Sequence, residues 1–171
     1  MTRLSLVLTA LLFIASPAHT QPAPPSPLAQ FSDALTDLPS GPAIVRGRIF
    51  VPAHSSLVVG DGKDRLDLSV TLSIQNTSER GTLVIERVDY YNVAGKPVDK
   101  YLPRAIALKP YGAVQIVVPQ LDIRGGVGAN FIVDWSSSDA IDEPPVEAIM
   151  IGTRGTLGHS FVSTGRKVNR P

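Results

Sequence analysis

The chain has 171 residues with 16 Lys and Arg against 15 Asp and Glu, so its formal net charge is only +1. A nearly neutral chain without a basic patch lacks the electrostatic footprint of a nucleic-acid-binding protein. It also contains no cysteine, which excludes disulfides, thiol nucleophiles and lipid attachment through a cysteine.

The first 20 residues have the pattern of a secretory signal peptide. Arg3 precedes an apolar run from Leu4 to Ala15, and small residues follow up to Ala18. About a dozen apolar residues fall short of the roughly 20 that a membrane-spanning helix needs. We therefore expect cleavage near Ala18, a periplasmic or secreted bacterial protein, and no transmembrane span after cleavage. An uncleaved membrane anchor is the alternative.

Residues 21–42 are predicted as a linker, because their six prolines fix φ and remove backbone donors, so that the segment cannot join a sheet. Ser26 as N-cap and Pro27 as first helical residue predict a short amphipathic helix within it. Its apolar residues, three or four apart, are Leu28, Phe31, Leu35 and Leu38. The helix either docks on the domain or binds a partner, and docking is favoured because short isolated helices are marginal in water.

Residues 43–171 are predicted as one β domain. Between residues 65 and 75, five apolar residues alternate strictly with polar ones, which is the period of a half-buried strand. Turn signals recur about every 8 to 12 residues, as in a β-sandwich. We predict an all-β, immunoglobulin-like antiparallel β-sandwich of about seven to nine strands. The predicted strands are 44–52, 55–60, 65–76, 82–92, 97–108, 112–118, 130–136, 146–153 and 159–164.

The apolar face of residues 83–90 shifts along the strand, which predicts a β-bulge near Glu86 and Arg87. A hairpin turn is predicted next, with Gly95 at positive φ. Tyr90 and Tyr91 must point to opposite faces of their strand. Tyr91 is then the better candidate for contact with a ligand, with Asp89 on its side.

Arg154 is a third candidate ligand-binding residue. It lies in the glycine-rich stretch 152–158, which is predicted to be a hairpin loop. Backbone N–H groups in such loops can bind anions, so Arg154 is a candidate contact for a phosphate or carboxylate. The other glycine-rich stretch, 125–128, is followed by a strand rather than a helix and so does not fit a dinucleotide fingerprint.

Asp61, Asp64 and Asp67 place three carboxylates close together before the clearest strand, which makes them a candidate calcium site. Calcium takes about six to eight oxygen ligands, and this spacing is not that of an EF-hand loop. Solvated loop charge is the competing interpretation. No sequence motif predicts a cofactor.

A catalytic site is not indicated. His54 and His159 are the histidines of the predicted domain, and no Gly-x-Ser-x-Gly motif accompanies them. A hydrolase would require one of these histidines to lie within hydrogen-bond reach of a hydroxyl and a carboxylate. Phe131, Val133 and Trp135 share one strand face, which predicts either a core position or an aromatic platform, and burial tendencies favour the core.

Three stretches resemble a bacterial family known as domain-of-unknown-function family 3124. They are residues 88–91 with Gly95 and Val98 downstream, residues 128–133 with Trp135, and residues 147–153. The resemblance covers roughly residues 44–165 and implies a single exported domain without an assigned activity or catalytic residue. Many members look like lipoproteins, from which this chain departs by having no cysteine.

The sequence therefore predicts a non-catalytic binding or assembly module of the cell envelope. The alternatives are a domain that binds a small ligand, namely calcium, an anion or a saccharide, and a hydrolase. A pure interaction protein predicts an exposed apolar patch or an open sheet edge. Its partner would be an envelope protein.

Overall fold

The structure, a computed structural model, describes residues 28–170, so the predicted signal peptide and the first part of the linker lie outside the described residues. One 3-10 helix spans Ala29–Ala34. No helix in residues 28–170 is long and apolar enough to cross a membrane. The strands within this range are β1 (Leu35–Thr36), β2 (Val45–Pro52), β3 (Ser56–Val59), β4 (Asp64–Asp67), β5 (Ser69–Gln75), β6 (Leu83–Tyr91), β7 (Pro97–Lys100), β8 (Ile106–Leu108), β9 (Ala113–Val118), β10 (Asn130–Ser137), β11 (Val146–Arg154), β12 (Leu157–Thr164) and β13 (Arg166–Val168).

These strands form three antiparallel sheets. The larger sheet has the order β1-β8-β6-β10-β2-β13, with β7 also paired to β6. The smaller sheet has the order β12-β11-β5-β9, and β3 and β4 form a separate hairpin. Both multi-stranded sheets therefore combine strands from distant parts of the chain.

The two multi-stranded sheets each bury one face in a single hydrophobic core, as alternating strands require. Phe131, Val133 and Trp135 all lie in this core, which confirms the core interpretation for the aromatic strand. The all-β antiparallel class predicted from the sequence is confirmed, whereas the immunoglobulin-like subclass stays a prediction. The described residues form thirteen strands rather than seven to nine.

Some of the additional strands arise because a predicted strand is divided into two. The strand predicted at 65–76 is interrupted at Leu68, whose N–H leaves the ladder and donates to the carbonyl of Ser55 over 2.9 Å. The strand predicted at 97–108 is also two strands, β7 and β8, with Pro103 between them. β1 and β13 were not predicted, because two or three residues are too few to show a period.

The prediction that the proline-rich segment cannot join a sheet is wrong for β1, which pairs with β8. Its two residues lie between Pro27 and Pro39, so both keep their backbone donors. The predicted helix is a 3-10 helix that ends at Ala34. Leu28 belongs to the core and Phe31 packs against it, so the segment docks on the domain.

The predicted bulge and turn of β6 are confirmed. Asp134 of β10 pairs with Arg87, but the next residue, Trp135, pairs with Ile85, which leaves Glu86 as the extra residue. Gly95, in the turn between β6 and β7, has a φ of 70°. The bulge returns Tyr90 to the core face and turns Asp89 and Tyr91 to the outer face of the sheet.

Candidate functional site

The outer face of the larger sheet carries a chain of ion pairs across three neighbouring strands. Arg48 on β2 and Arg87 on β6 both lie opposite Asp134 on the central strand β10. Arg48 donates from Nε and Nη2 to the two oxygens of Asp134, over 2.6 and 3.0 Å. Nε of Arg87 lies 2.9 Å from Asp134 Oδ2. The Asp134 carboxylate is thus enclosed by two guanidinium groups.

Asp89 and Tyr91 extend the same network, as the sequence predicted for their side of the strand. Arg87 Nη1 donates to Asp89 Oδ2 over 3.2 Å, and the Tyr91 hydroxyl donates to the same oxygen over 3.4 Å. Asp89 is buried, with an exposed fraction of 3%. Both residues are therefore occupied by contacts within the sheet, and their role in ligand binding stays a prediction.

The arginines also favour the ionised form of the neighbouring carboxyl groups. Burial opposes ionisation of Asp134, but the hydrogen bonds from Arg48 and the charges of both arginines outweigh it, and the pKa of the carboxyl lies below its ordinary value. Burial likewise opposes ionisation of Glu86, and hydrogen bonds with Ser136 and Arg170 lower its pKa on balance. These carboxylates are held charged as structural partners of arginine.

The backbone of Arg154 lies in the other sheet. Its backbone pairs with Leu157 at the end of β11, in the smaller sheet, whereas Asp89 and Tyr91 belong to the larger one. The Arg154 side chain lies outside the described part of the chain. A hairpin is present as predicted, with Gly155 at a φ of 62°, but its turn is shorter than the predicted loop of residues 152–158, because residues 152–154 belong to β11 and residues 157–158 to β12.

The three aspartates proposed for calcium are distributed along the β3–β4 hairpin. Asp61 lies in the turn, while Asp64 and Asp67 begin and end β4. Strand residues three apart are separated by roughly 10 Å and point to opposite faces. Within residues 28–170 no group of three or more His, Asp or Glu side chains is placed to hold a metal ion.

The histidines do not form the arrangement that a hydrolase requires. Nδ1 of His54 contacts the carbonyl oxygen of Val127, and its ring lies 6.2 Å from that of Phe161. His159 is exposed on β12. In the described part of the chain neither histidine forms a hydrogen bond with a hydroxyl or a carboxylate.

The strand β12 presents an open edge, and this edge is the feature best suited to binding. β12 has eight residues and pairs on one side with β11, while no described strand pairs with its other side. Most of its residues are exposed, including Leu157 and Val162. Residues 155–165 contain no Asp, Glu, Lys, Arg or Pro. Charges, prolines and bulges are the usual means of blocking an edge, and this edge has none.

The other edges of the two larger sheets are protected. β13 contains Arg166 and Lys167, and β1 has only two residues. β7 begins with Pro97 and carries Asp99 and Lys100. β9 is flanked by prolines in sequence and contacts the 3-10 helix. Among the edges of the two larger sheets, β12 therefore lacks the protection that sheet edges ordinarily have.

A partly apolar cleft of about 540 Å³ lies beside this edge, between β12 and the β3–β4 hairpin. Its hairpin wall consists of Leu57, Val59 and Leu66, and its β12 wall includes His159 and Phe161. An open edge supplies unpaired backbone groups, and an adjacent apolar cleft can receive a side chain. Together they have the two components of a site for strand addition.

The sequence did not indicate β12 as a candidate site. The absence of charge and proline over residues 155–165 is visible in the sequence and could have indicated it. The position of β12 at an edge is not visible, because it depends on the order of strands from distant parts of the chain.

Among the comparisons with known proteins, the match to a protein family agrees with the resemblance noted from the sequence. No curated protein matches the chain. Among solved structures it is similar to the crystal structure of Thermotoga maritima 1070, with 12% identity, a TM-score of 0.42, and coverage of 70% of this chain and 92% of that one. The family model described as Protein of unknown function (DUF3124) matches residues 46–168, and the chain belongs to this family.

Proposed function

We propose that this protein is a non-catalytic binding module of the cell envelope that adds a polypeptide strand to the open edge of β12. The single observation that carries the proposal is the uncharged, proline-free edge of β12. The backbone N–H and C=O groups on that edge would form the ladder with the added strand. An apolar side chain of the added strand would enter the cleft formed by the β3–β4 hairpin.

The location in the envelope rests on the N-terminal sequence alone. The apolar run from Leu4 to Ala15, with Arg3 before it and small residues after it, supports export and cleavage. Expression of the full chain in a bacterial host, followed by fractionation and N-terminal sequencing, tests this part. Export predicts a periplasmic or secreted product that lacks about the first 18 to 20 residues. An intact N-terminus on a cytoplasmic product would contradict it.

Strand addition is tested with a displayed library of random ten-residue peptides selected against the purified chain. Two variants make the test specific, Val162→Lys and Val117→Lys. Both valines are about half exposed, at 55% and 49%. Val162 and Val117 lie at opposite ends of one row of cross-strand neighbours on the outer face of the smaller sheet, with Ile149 and Thr71 between them. The two substitutions therefore add the same charge in matched positions, and only Val162 lies on β12.

Selected peptides should bind the unmodified chain and Val117→Lys equally, and should lose about tenfold or more in affinity for Val162→Lys. Circular dichroism of all three proteins confirms that each is folded. Peptides that bind Val162→Lys as well as the unmodified chain would overturn strand addition at β12, as would a library that yields no binder for a chain that is monomeric in solution.

A further inference from the structure

We infer that the strand added at this edge is β12 of a second copy of the chain, so that two smaller sheets join into one continuous eight-stranded sheet. This inference rests on the proposed strand addition and names its partner. It follows from three properties of β12: its charge, its pattern of side-chain sizes, and the position of its aromatic residue beside the cleft.

The charge of the edge permits self-pairing. A two-fold symmetric pairing of antiparallel strands brings residues near the axis close to their own copies, so a charge near the middle of the strand would meet a like charge. Residues 155–165 carry no Lys, Arg, Asp or Glu, and hence no such repulsion arises. On β13, Arg166 and Lys167 lie next to each other in a three-residue strand, so the same arrangement would bring like charges together there.

The side-chain sizes along β12 are complementary to those of the same strand in reverse. An antiparallel pairing with its two-fold axis at Phe161 preserves the inner and outer faces of both sheets, because opposite residues lie on the same face. In that register every pair other than the central one places a larger residue opposite Gly or Ser. The pairs within β12 are Thr164 with Gly158, His159 with Ser163, and Val162 with Ser160, while Leu157 would face Gly165, the residue that follows the strand.

In this register, Phe161 of the second copy would lie at the cleft beside β12. Phe161 lies on the inner face of β12, opposite Met150 of β11, and is only partly buried. Its copy on the added strand would lie on the same side of the joined sheet, next to Leu57, Val59 and Leu66 of the hairpin. The two phenylalanines at the axis would then complete the apolar cover that the cleft lacks.

The mass of the purified chain in solution tests the inference directly. Sedimentation across a dilution series should show twice the mass of one chain for the unmodified protein and for Val117→Lys. In Val162→Lys the two new charges would lie within about 10 Å of each other, close enough to repel at moderate ionic strength. Its dissociation constant should therefore rise about tenfold or more. A single-chain mass for the unmodified protein at every concentration, or equal dimerisation of both variants, would overturn self-pairing.

The register is tested by cysteine crosslinking, which has no background because the chain has no cysteine of its own. An equimolar mixture of Ser160→Cys and Val162→Cys should form a disulfide between the two variants, because opposite residues lie within disulfide distance. A mixture of Ser160→Cys and Ser73→Cys, on the inner strand β5, should not. Efficient crosslinking of Ser160→Cys to itself would place the axis at Ser160 and overturn the Phe161 register.

The two proposals can fail separately. A chain that remains single but binds library peptides in a Val162-dependent manner contradicts self-pairing and leaves strand addition standing. A single chain that binds no peptide contradicts both.

Discussion

Arg48 and Asp134 form a two-point ion pair between neighbouring central strands of the larger sheet, with donor–acceptor distances of 2.6 and 3.0 Å. The pair lies on the outer face of the sheet, opposite the hydrophobic core. Asp134 is nonetheless buried, with 3% exposure, because the guanidinium groups of Arg48 and Arg87 cover it. A planar guanidinium matches both carboxylate oxygens, which makes this type of pair stronger and more directional than one with lysine.

Asp134→Asn should destabilise the protein, because it removes the charge that Arg48 and Arg87 share. Breaking a fully buried pair costs about 3–5 kcal/mol, and the partial exposure of both arginines reduces the expected cost to about 2 kcal/mol. Urea unfolding at neutral pH measures it. Asp99→Asn is the matched control, since its ion pair with Arg124 is exposed and should contribute little to stability. Equal losses in the two variants would contradict a special role for Asp134.

The contribution of Asp134 should also disappear in acid. The pKa of Asp134 is lowered in the folded state from an ordinary value of 3.8, so the unfolded chain takes up the proton first as the pH falls. The stabilisation is therefore complete above the unfolded pKa and is lost as the pH drops through the folded pKa. The difference in unfolding free energy between the unmodified protein and Asp134→Asn should shrink below about pH 4. If this difference stayed constant down to pH 2, the shape of the Asp134 side chain rather than its charge would account for the stabilisation.

Gly47→Ala tests the packing of the single tryptophan. A Cβ at Gly47 would lie 2.6 Å from Nε1 of Trp135, on the neighbouring strand, so the indole has to move. Overpacking of this kind costs about 1–3 kcal/mol. Gly158→Ala is the control, since a Cβ there meets no atom within 4 Å. Because Trp135 is the only tryptophan, its emission spectrum reports the displacement, and an unchanged spectrum and stability in Gly47→Ala would contradict the contact.

Features that depend on a single strand could be predicted from the sequence, whereas features that depend on the order of distant strands could not. The bulge at Glu86 and the position of Asp89 beside Tyr91 were predictable, because both depend on the face pattern of one strand. The pairing of Asp134 with Arg48 and Arg87 was not, because residues 86 and 47 positions apart in the chain meet only through the strand order. The edge position of β12 was hidden for the same reason. The pairing of Leu35 and Thr36 with the larger sheet was not predicted, because two residues are too few to show an alternating pattern.

Asn76→Ala should destabilise the protein, because the Asn76 amide joins its own backbone segment to those of Gly81 and of Leu108 and Lys109. Its Nδ2 donates to the carbonyl oxygens of Gly81, Lys109 and Leu108 over 2.8, 3.0 and 3.2 Å. Asn76 is 2% exposed, so alanine would leave these acceptors partly unsatisfied, at a cost of about 2–3 kcal/mol.

Asn76→Asp distinguishes the loss of these bonds from a loss of volume. Aspartate keeps the size of asparagine but would place a negatively charged oxygen against three carbonyl oxygens. At neutral pH it should therefore be less stable than Asn76→Ala, and below about pH 4 it should recover, because a protonated carboxyl can donate one hydrogen bond. Urea unfolding of both variants at the two pH values measures this. If Asn76→Asp equalled the unmodified protein at neutral pH, the amide donor would have no part in joining the three segments.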